Sequence, residues 1–273
     1  MQLTESAMTK SKGYRVEKFG GIRQLVAAAS AVSREYDTIH LTTEADISEP
    51  RRLIAGHRQR TGERLSLTAY VVACLGRTFD DYPRFNSFRK GNKLIVLDDL
   101  TISVLYERET DGEQAPEPIG VAQANRKTYR QVNDELRTAQ QRVGERLGAA
   151  SGVAWVRFIP GFLLRAFVRL AASNIAMKKR FGVVGVTAIG MFGAGPLWLT
   201  PLTSATVTVA VGSIVKRPKL VNDSLEEREH LCLTVSFDHD IIDGAPAARF
   251  TSRLVELLAS GHEIAASIGG DST

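Results

Sequence analysis

Ser236-Phe237-Asp238-His239-Asp240-Ile241-Ile242-Asp243-Gly244 is the stretch on which the reading of this chain turns. The apolar, β-prone run His230 to Phe237 delivers a histidine to the end of a strand. An aspartate follows four residues later, then a glycine. From Ala245 to Ser260 the spacing is that of an amphipathic helix, with Phe250, Leu254, Leu257 and Leu258 on one face and Gly261 as a stop signal. A neutral imidazole at a strand end can take a proton from a thiol or hydroxyl. The Asp243-Gly244 pair predicts a sharp turn into the helix. On these residues alone, three readings stand. Asp238, His239, Asp240 and Asp243 are crowded enough to suggest a metal site, but His40, His57, His230 and His262 show no ligand spacing, so no metal is expected. In the plainest reading Asp243 caps the helix and His239 merely ends the strand. In the third, His239 is a general base.

Outward from this stretch, the pattern is mixed. Ile22 to Ser33 is alanine-rich and helical in spacing, and Thr38 to Ile47 alternates like a strand. Ser48 is expected to cap a helix with Pro50 in its first turn. Leu67 to Phe79 reads as a buried helix ended before Pro83. Strands are expected at Lys93 to Leu97, Leu100 to Tyr106 and Ile119 to Gln123, with Glu107 to Pro118 as a surface loop around Asp111-Gly112. Tyr129 to Leu147 reads as a polar helix. The C-terminal third adds strands at Val183 to Ile189, Ala205 to Ile214 and His230 to Phe237. Helices and strands mix without regular alternation. That predicts an α/β protein of the α+β kind, a two-layer mixed sheet with helices packed on it. The expected organisation is a flexible N-terminal tail over 1–13 and a single domain over 14–268.

The 273 residues are 44% hydrophobic and 24% charged, as in an ordinary globular protein. A net charge of +5 mildly favours anionic molecules. With no basic run interleaved with aromatics, nucleic-acid binding is not expected. Cys74 and Cys232 sit in apolar runs and read as buried structural thiols. The polar stretch Met1 to Tyr14 lacks a signal-peptide core, and no charge-free apolar run nears the ~20 residues that span a bilayer, so a cytoplasmic protein is expected.

Leu233 to His239, Ile242-Asp243-Gly244-Ala245 and Ala247-Ala248-Arg249-Phe250 together resemble the catalytic domain of the dihydrolipoamide acyltransferases, the core subunits of 2-oxoacid dehydrogenase complexes. The same fold and histidine motif occur in chloramphenicol acetyltransferase. A second block is similar to the family's strand, Gly-rich turn and return strand: Gly185 to Gly193, Thr200-Pro201-Leu202 and Val209 to Ile214. Gly21-Ile22-Arg23, Thr42 to Asp46 and Pro83 to Ser87 add weaker matches in the same order. The resemblance implies a chloramphenicol acetyltransferase-like fold. It also implies an acyltransferase acting between coenzyme A and a dihydrolipoyl thiol or another thiol, amine or hydroxyl acceptor. His239 would be the general base, and Thr187 would donate a hydrogen bond to the oxygen of the tetrahedral intermediate. Asp243 would pair with an arginine to hold the histidine loop, assisted by Gly244. Arg23 is the expected partner, the family's second helix arginine being Ala29 here. A homotrimer or a larger cage of trimers is implied, each histidine facing the hydroxyl of a neighbour.

Three features depart from the family. Asp240 stands where a basic residue usually follows the histidine. The sequence shows no lipoyl-bearing domain and no Ala/Pro-rich linker, so a separate lipoyl-carrying protein or another acceptor is expected. The third is a basic, apolar helical insert at about 152–182. It carries Trp155, Phe158, Phe162, Leu163, Phe167 and Leu170, interleaved with Arg157, Arg165 and Arg169 and followed by Lys178-Lys179-Arg180. Packing on the domain or an oligomer interface is the favoured reading of this insert, and peripheral contact with an anionic membrane is the alternative. For the whole chain the alternatives to an enzyme are a non-catalytic trimeric scaffold of the same fold and, third, an acyl-CoA-binding or membrane-docked protein.

Overall fold

A six-stranded mixed sheet forms the centre of the protein, in the order β1-β8-β7-β6-β4-β5. The computed structural model describes residues 13–16, 19–110, 113–145, 159–190 and 195–268. β1 (Thr38–Asp46) and β7 (Val207–Val221) both lie antiparallel to β8 (Ser224–Asp238). β6 (Val184–Ala188) runs parallel to β7 and to β4 (Ile102–Thr110), and β5 (Glu113–Val121) closes the edge antiparallel to β4. A small hairpin of β2 (Ser87–Lys90) and β3 (Lys93–Val96) stands apart from this sheet.

The core forms where the helices meet the sheet. α3 (Leu67–Asp81) is buried along most of its length, as its apolar sequence predicts. It packs against α4 (Tyr129–Glu145), α7 (Gly244–Ser260) and α8 (His262–Ile268); α7 also touches α2 (Ser48–Thr61) and β1. Phe250 of α7 is fully buried within a ring of aromatics, with centroids 5.2 Å from Phe79, 5.3 Å from Phe85, 5.4 Å from Tyr82 and 5.6 Å from Phe237. Phe237 lies two residues before His239, so the histidine turn rests on this cluster. The mixed two-layer α/β architecture predicted from the sequence is the one observed.

Several boundaries differ from the expectation. The polar segments after Ile214 and before His230 are strand, not loop: β7 and β8 continue as a long hairpin turned at Asn222 and Asp223, both with positive φ. Cross-strand ion pairs such as Lys216–Glu227, at 2.5 Å, replace the apolar alternation that marks a strand in sequence. The expected loop Glu107 to Pro118 is likewise mostly hairpin, β4 running on to Thr110 and β5 starting at Glu113; Asp111-Gly112 lies outside the described residues. Ser48 is the first residue of α2, not its cap. Its hydroxyl accepts from the Glu229 N–H at 2.8 Å, tying the helix start to β8. Cys74 and Cys232 are buried, as expected.

The tail over 1–13 lies almost wholly outside the described residues, as do 146–151, the first residues of the insert (152–158) and 191–194 of the Gly-rich turn. The described part of the insert is two helices, α5 (Gly161–Ala172) and α6 (Ile175–Phe181). Through Leu164 and Val168, α5 packs on Leu25 and Ala28 of α1 (Gly21–Ser33). The glycines of the second block have a steric reason. A Cβ at Gly190 would collide with the Gly212 carbonyl oxygen, and one at Gly212 with that of Leu197. Ser213 braces this crossing, its hydroxyl donating to the Gly195 carbonyl at 2.6 Å and accepting from the Leu197 N–H at 2.9 Å.

Candidate active site

β8 ends at Asp238, whose carbonyl accepts from the N–H groups of Ile241, at 3.1 Å, and Ile242, at 3.0 Å. These two bonds make the sharp turn that the sequence attributed to Asp243-Gly244. Gly244 is simply the first residue of α7. It has no left-handed φ, and a side chain there would meet nothing within 4 Å. Glycine is therefore not required by the turn within one chain, which corrects that expectation.

The His239 N–H donates to the Asp37 carbonyl at 2.6 Å, fixing the residue beside the start of β1. Its ring Nδ1 lies 3.2 Å from the Ile242 carbonyl oxygen. A carbonyl only accepts, so in the neutral ring Nδ1 carries the hydrogen and Nε2 presents a lone pair. Among the described residues nothing bonds to Nε2, and the side chain is 46% exposed. This is the tautomer and the accessibility that a general base needs.

Asp243 occupies the N-cap position of α7 without capping it through its side chain. Its carboxylate is 87% exposed, with Oδ1 3.9 Å from His239 Nδ1. The expected ion pair with Arg23 does not form within one chain. Arg23 stands near the start of α1, while the loop following the far end of that helix meets the histidine turn. Ten helical residues separate Arg23 from Ser33, about 15 Å of axis.

Thr187 sits on β6, half-buried, and its hydroxyl makes no hydrogen bond among the described residues. The sheet register sets its distance from the histidine. Thr187 pairs with Ala210, which pairs with Thr234. Asp238, the last strand residue, is four positions further along and two strands across, about 16 Å away. One chain does not bring Thr187 and His239 together.

The structure adds neighbours that the sequence did not point to. Asp240 turns to Arg89 of β2, Oδ2 to Nη1 at 2.5 Å, so its charge is matched from beside the loop. Asp238 is 5% exposed and its Oδ1 accepts the Asp240 N–H at 3.2 Å. Across a cavity of about 290 Å³ from it lies Lys178 of α6, also buried, donating to the Ser204 carbonyl at 3.0 Å and sitting 5.8 Å from the Phe88 ring centroid. Burial pushes the Lys178 ammonium down to about 8 against the pull of Asp238. Burial, with the nearby charge of Asp240, pushes the Asp238 carboxyl up. In the sequence Lys178 is one of three consecutive cations, and only the path of α6 turns it inward. Among the described residues, no group of three or more His, Cys, Asp or Glu side chains could hold a metal ion.

Residues 178–266, which contain both Thr187 and the histidine turn, match the family model of the 2-oxoacid dehydrogenases acyltransferase (catalytic domain). The dihydrolipoyllysine-residue acetyltransferase component of the Bacillus subtilis (strain 168) pyruvate dehydrogenase complex is 24% identical over 259 residues, covering 89% of this chain and 49% of that protein. The chain thus spans about half the length of the curated relatives it first matches. Among solved structures, a probable dihydrolipoamide acetyltransferase from Listeria monocytogenes superposes with a TM-score of 0.65 at 20% identity, covering 90% of this chain and 94% of that one. The dihydrolipoamide acetyltransferase of Azotobacter vinelandii superposes with a TM-score of 0.66 at 19% identity, covering 96% and 94%. That structure comes from an investigation of a serine, a histidine and, four residues beyond it, an asparagine in its catalytic mechanism. The C-terminal part carries the acyltransferase catalytic-domain pattern, and the fold is that of these solved acetyltransferases.

Proposed function

We propose that this chain is an acyltransferase, moving an acyl group between coenzyme A and a dihydrolipoyl thiol or another small acceptor. The observation that carries the proposal is the His239 ring, half-exposed inside the matched segment, with Nδ1 tied to a carbonyl and Nε2 open. A free thiol titrates near about 8.5 and keeps most of its proton at neutral pH, so Nε2 takes that proton as the sulfur attacks a thioester carbonyl. Asp243, its carboxylate 3.9 Å from Nδ1, holds the histidine loop in this proposal. The order hydroxyl, histidine, and polar residue four positions on is the one investigated in the Azotobacter vinelandii enzyme. Thr187, His239 and Asp243 repeat it, with threonine for serine and aspartate for asparagine.

The oxygen that gains charge needs a donor about 3 Å away. Thr187, its hydroxyl unbonded among the described residues, supplies it from a second copy, because within one chain it stands too far from the imidazole. The working unit is a homotrimer or a larger assembly of trimers, with the site closed at each boundary between neighbours. A thiol-release assay with a panel of acyl-CoAs and acceptors tests this reading. His239→Ala should lower the rate by about 10²–10⁴. Equal rates in both proteins would refute the catalytic role and leave the scaffold reading.

A further inference from the structure

We infer that the outer face of α5 and α6 docks on an anionic lipid surface. Helix α5 is apolar around most of its circumference, and such a helix is stable when both sides find an apolar neighbour. Its inner side has one: Leu164 and Val168 rest on Leu25 and Ala28 of α1. Its outer side has none among the described residues. Phe162 is 71% exposed, Phe167 58% and Leu170 71%, and with Leu163 and Ala166 they fall within one arc of the helix at about 100° per residue. Met177 and Ile175 of α6, which follows α5 directly, are exposed as well.

Charge selects the occupant. Between Glu145 and Asp223 the sequence holds no aspartate or glutamate. Arg165, Lys179 and Arg180 are exposed and make no ion pair with a carboxylate among the described residues; Arg169 at the edge of the arc is held by Glu35, in the turn that follows α1. A second copy meeting the same face about a two-fold axis would set these cations against their own kind; a trimer neighbour would bring a different face, the case that the gel-filtration arm below separates. The exposed arc of Phe162, Leu163, Phe167 and Leu170 belongs to a single helix side facing away from α1, which suits a deformable phase better than a folded partner. Phenylalanine and leucine on one arc bordered by arginine and lysine is the pattern of a helix lying in a bilayer interface. Among the described residues no helix is long and apolar enough to cross a membrane, so the contact is peripheral. Arg169, Ala172 and Ser173 at the end of α5 line the same cavity as Asp238 and Asp240, so docking would hold the histidine turn beside the lipid.

Co-sedimentation of the full chain tests this, using phosphatidylcholine vesicles with and without about 30% phosphatidylglycerol. The expected result is pelleting with the anionic vesicles, weakened as salt rises from about 0.05 to 0.5 M. Phe162→Asp with Phe167→Asp should lower the bound fraction about tenfold at unchanged elution volume in gel filtration. Should that variant fail to fold, Arg165→Glu with Lys179→Glu, confined to exposed side chains, should reduce binding instead. No pelleting of the wild type would overturn the proposal, as would charge reversal without effect. A smaller particle in gel filtration for the phenylalanine variant would also overturn it, by assigning the face to a second copy.

Discussion

Mixing two inactive variants measures whether the site is shared between subunits. His239→Ala removes the base and Thr187→Val removes the hydroxyl. Each should fall by at least about 10² in rate, since a base or a single oxyanion donor is typically worth that much or more. The sheet register puts about 16 Å between Thr187 and Asp238, the residue before His239, in one chain, through the pairings Thr187 to Ala210 to Thr234 and the four further residues to Asp238. No rotamer of histidine or threonine spans that gap. If every site takes its imidazole from one subunit and its hydroxyl from the next, a boundary works when a Thr187→Val subunit presents its histidine to a His239→Ala subunit. Random co-assembly of equal amounts makes one such boundary in four, so the mixture should recover about a quarter of the wild-type rate. The assay is thiol release after the two variants are unfolded and refolded together, with separately refolded and then mixed proteins as the control. Activity no higher than the mean of the two parents would show that the hydroxyl and the imidazole do not meet across a boundary.

Two further outcomes follow from the packing around the turn. Phe250→Ala empties the middle of four aromatic contacts and should cost about 3–5 kcal/mol in urea unfolding; a loss below about 1 kcal/mol would mean the cluster does not support the turn. Lys178 is held down to about 8, against 10.5 for an ordinary lysine. Below the folded value both states carry the proton and folding bears the cost of the buried charge. Between the two values only the unfolded chain stays protonated, so stability rises with pH across that window. The wild type should therefore gain up to about 3 kcal/mol relative to Lys178→Met between pH 8 and 10.5, and parallel stability curves would refute the buried-charge account.

The sequence by itself determined the α/β class, the burial of α3, the helix after Gly244 and the histidine at a strand end. Each rests on local periodicity and on residues within one element, which side-chain chemistry alone dictates. It did not reveal the long β7–β8 hairpin, because Lys216 and Glu227 look like loop until each strand supplies the other's counter-charge, and Arg217 until β1 supplies Glu44. It assigned the turn to Asp243-Gly244, whereas the Asp238 carbonyl makes it by accepting from the N–H groups of Ile241 and Ile242. It matched Asp243 with Arg23, which the length of α1 keeps apart, and it gave no sign that Lys178 turns inward while Lys179 and Arg180 face water. Only the tertiary structure decided which atoms surround the imidazole, because strand register and helix direction are set by packing between segments far apart in the chain. The same register placed the Thr187 hydroxyl beyond reach of His239 in one chain, a distance that no reading of spacing along the sequence contains.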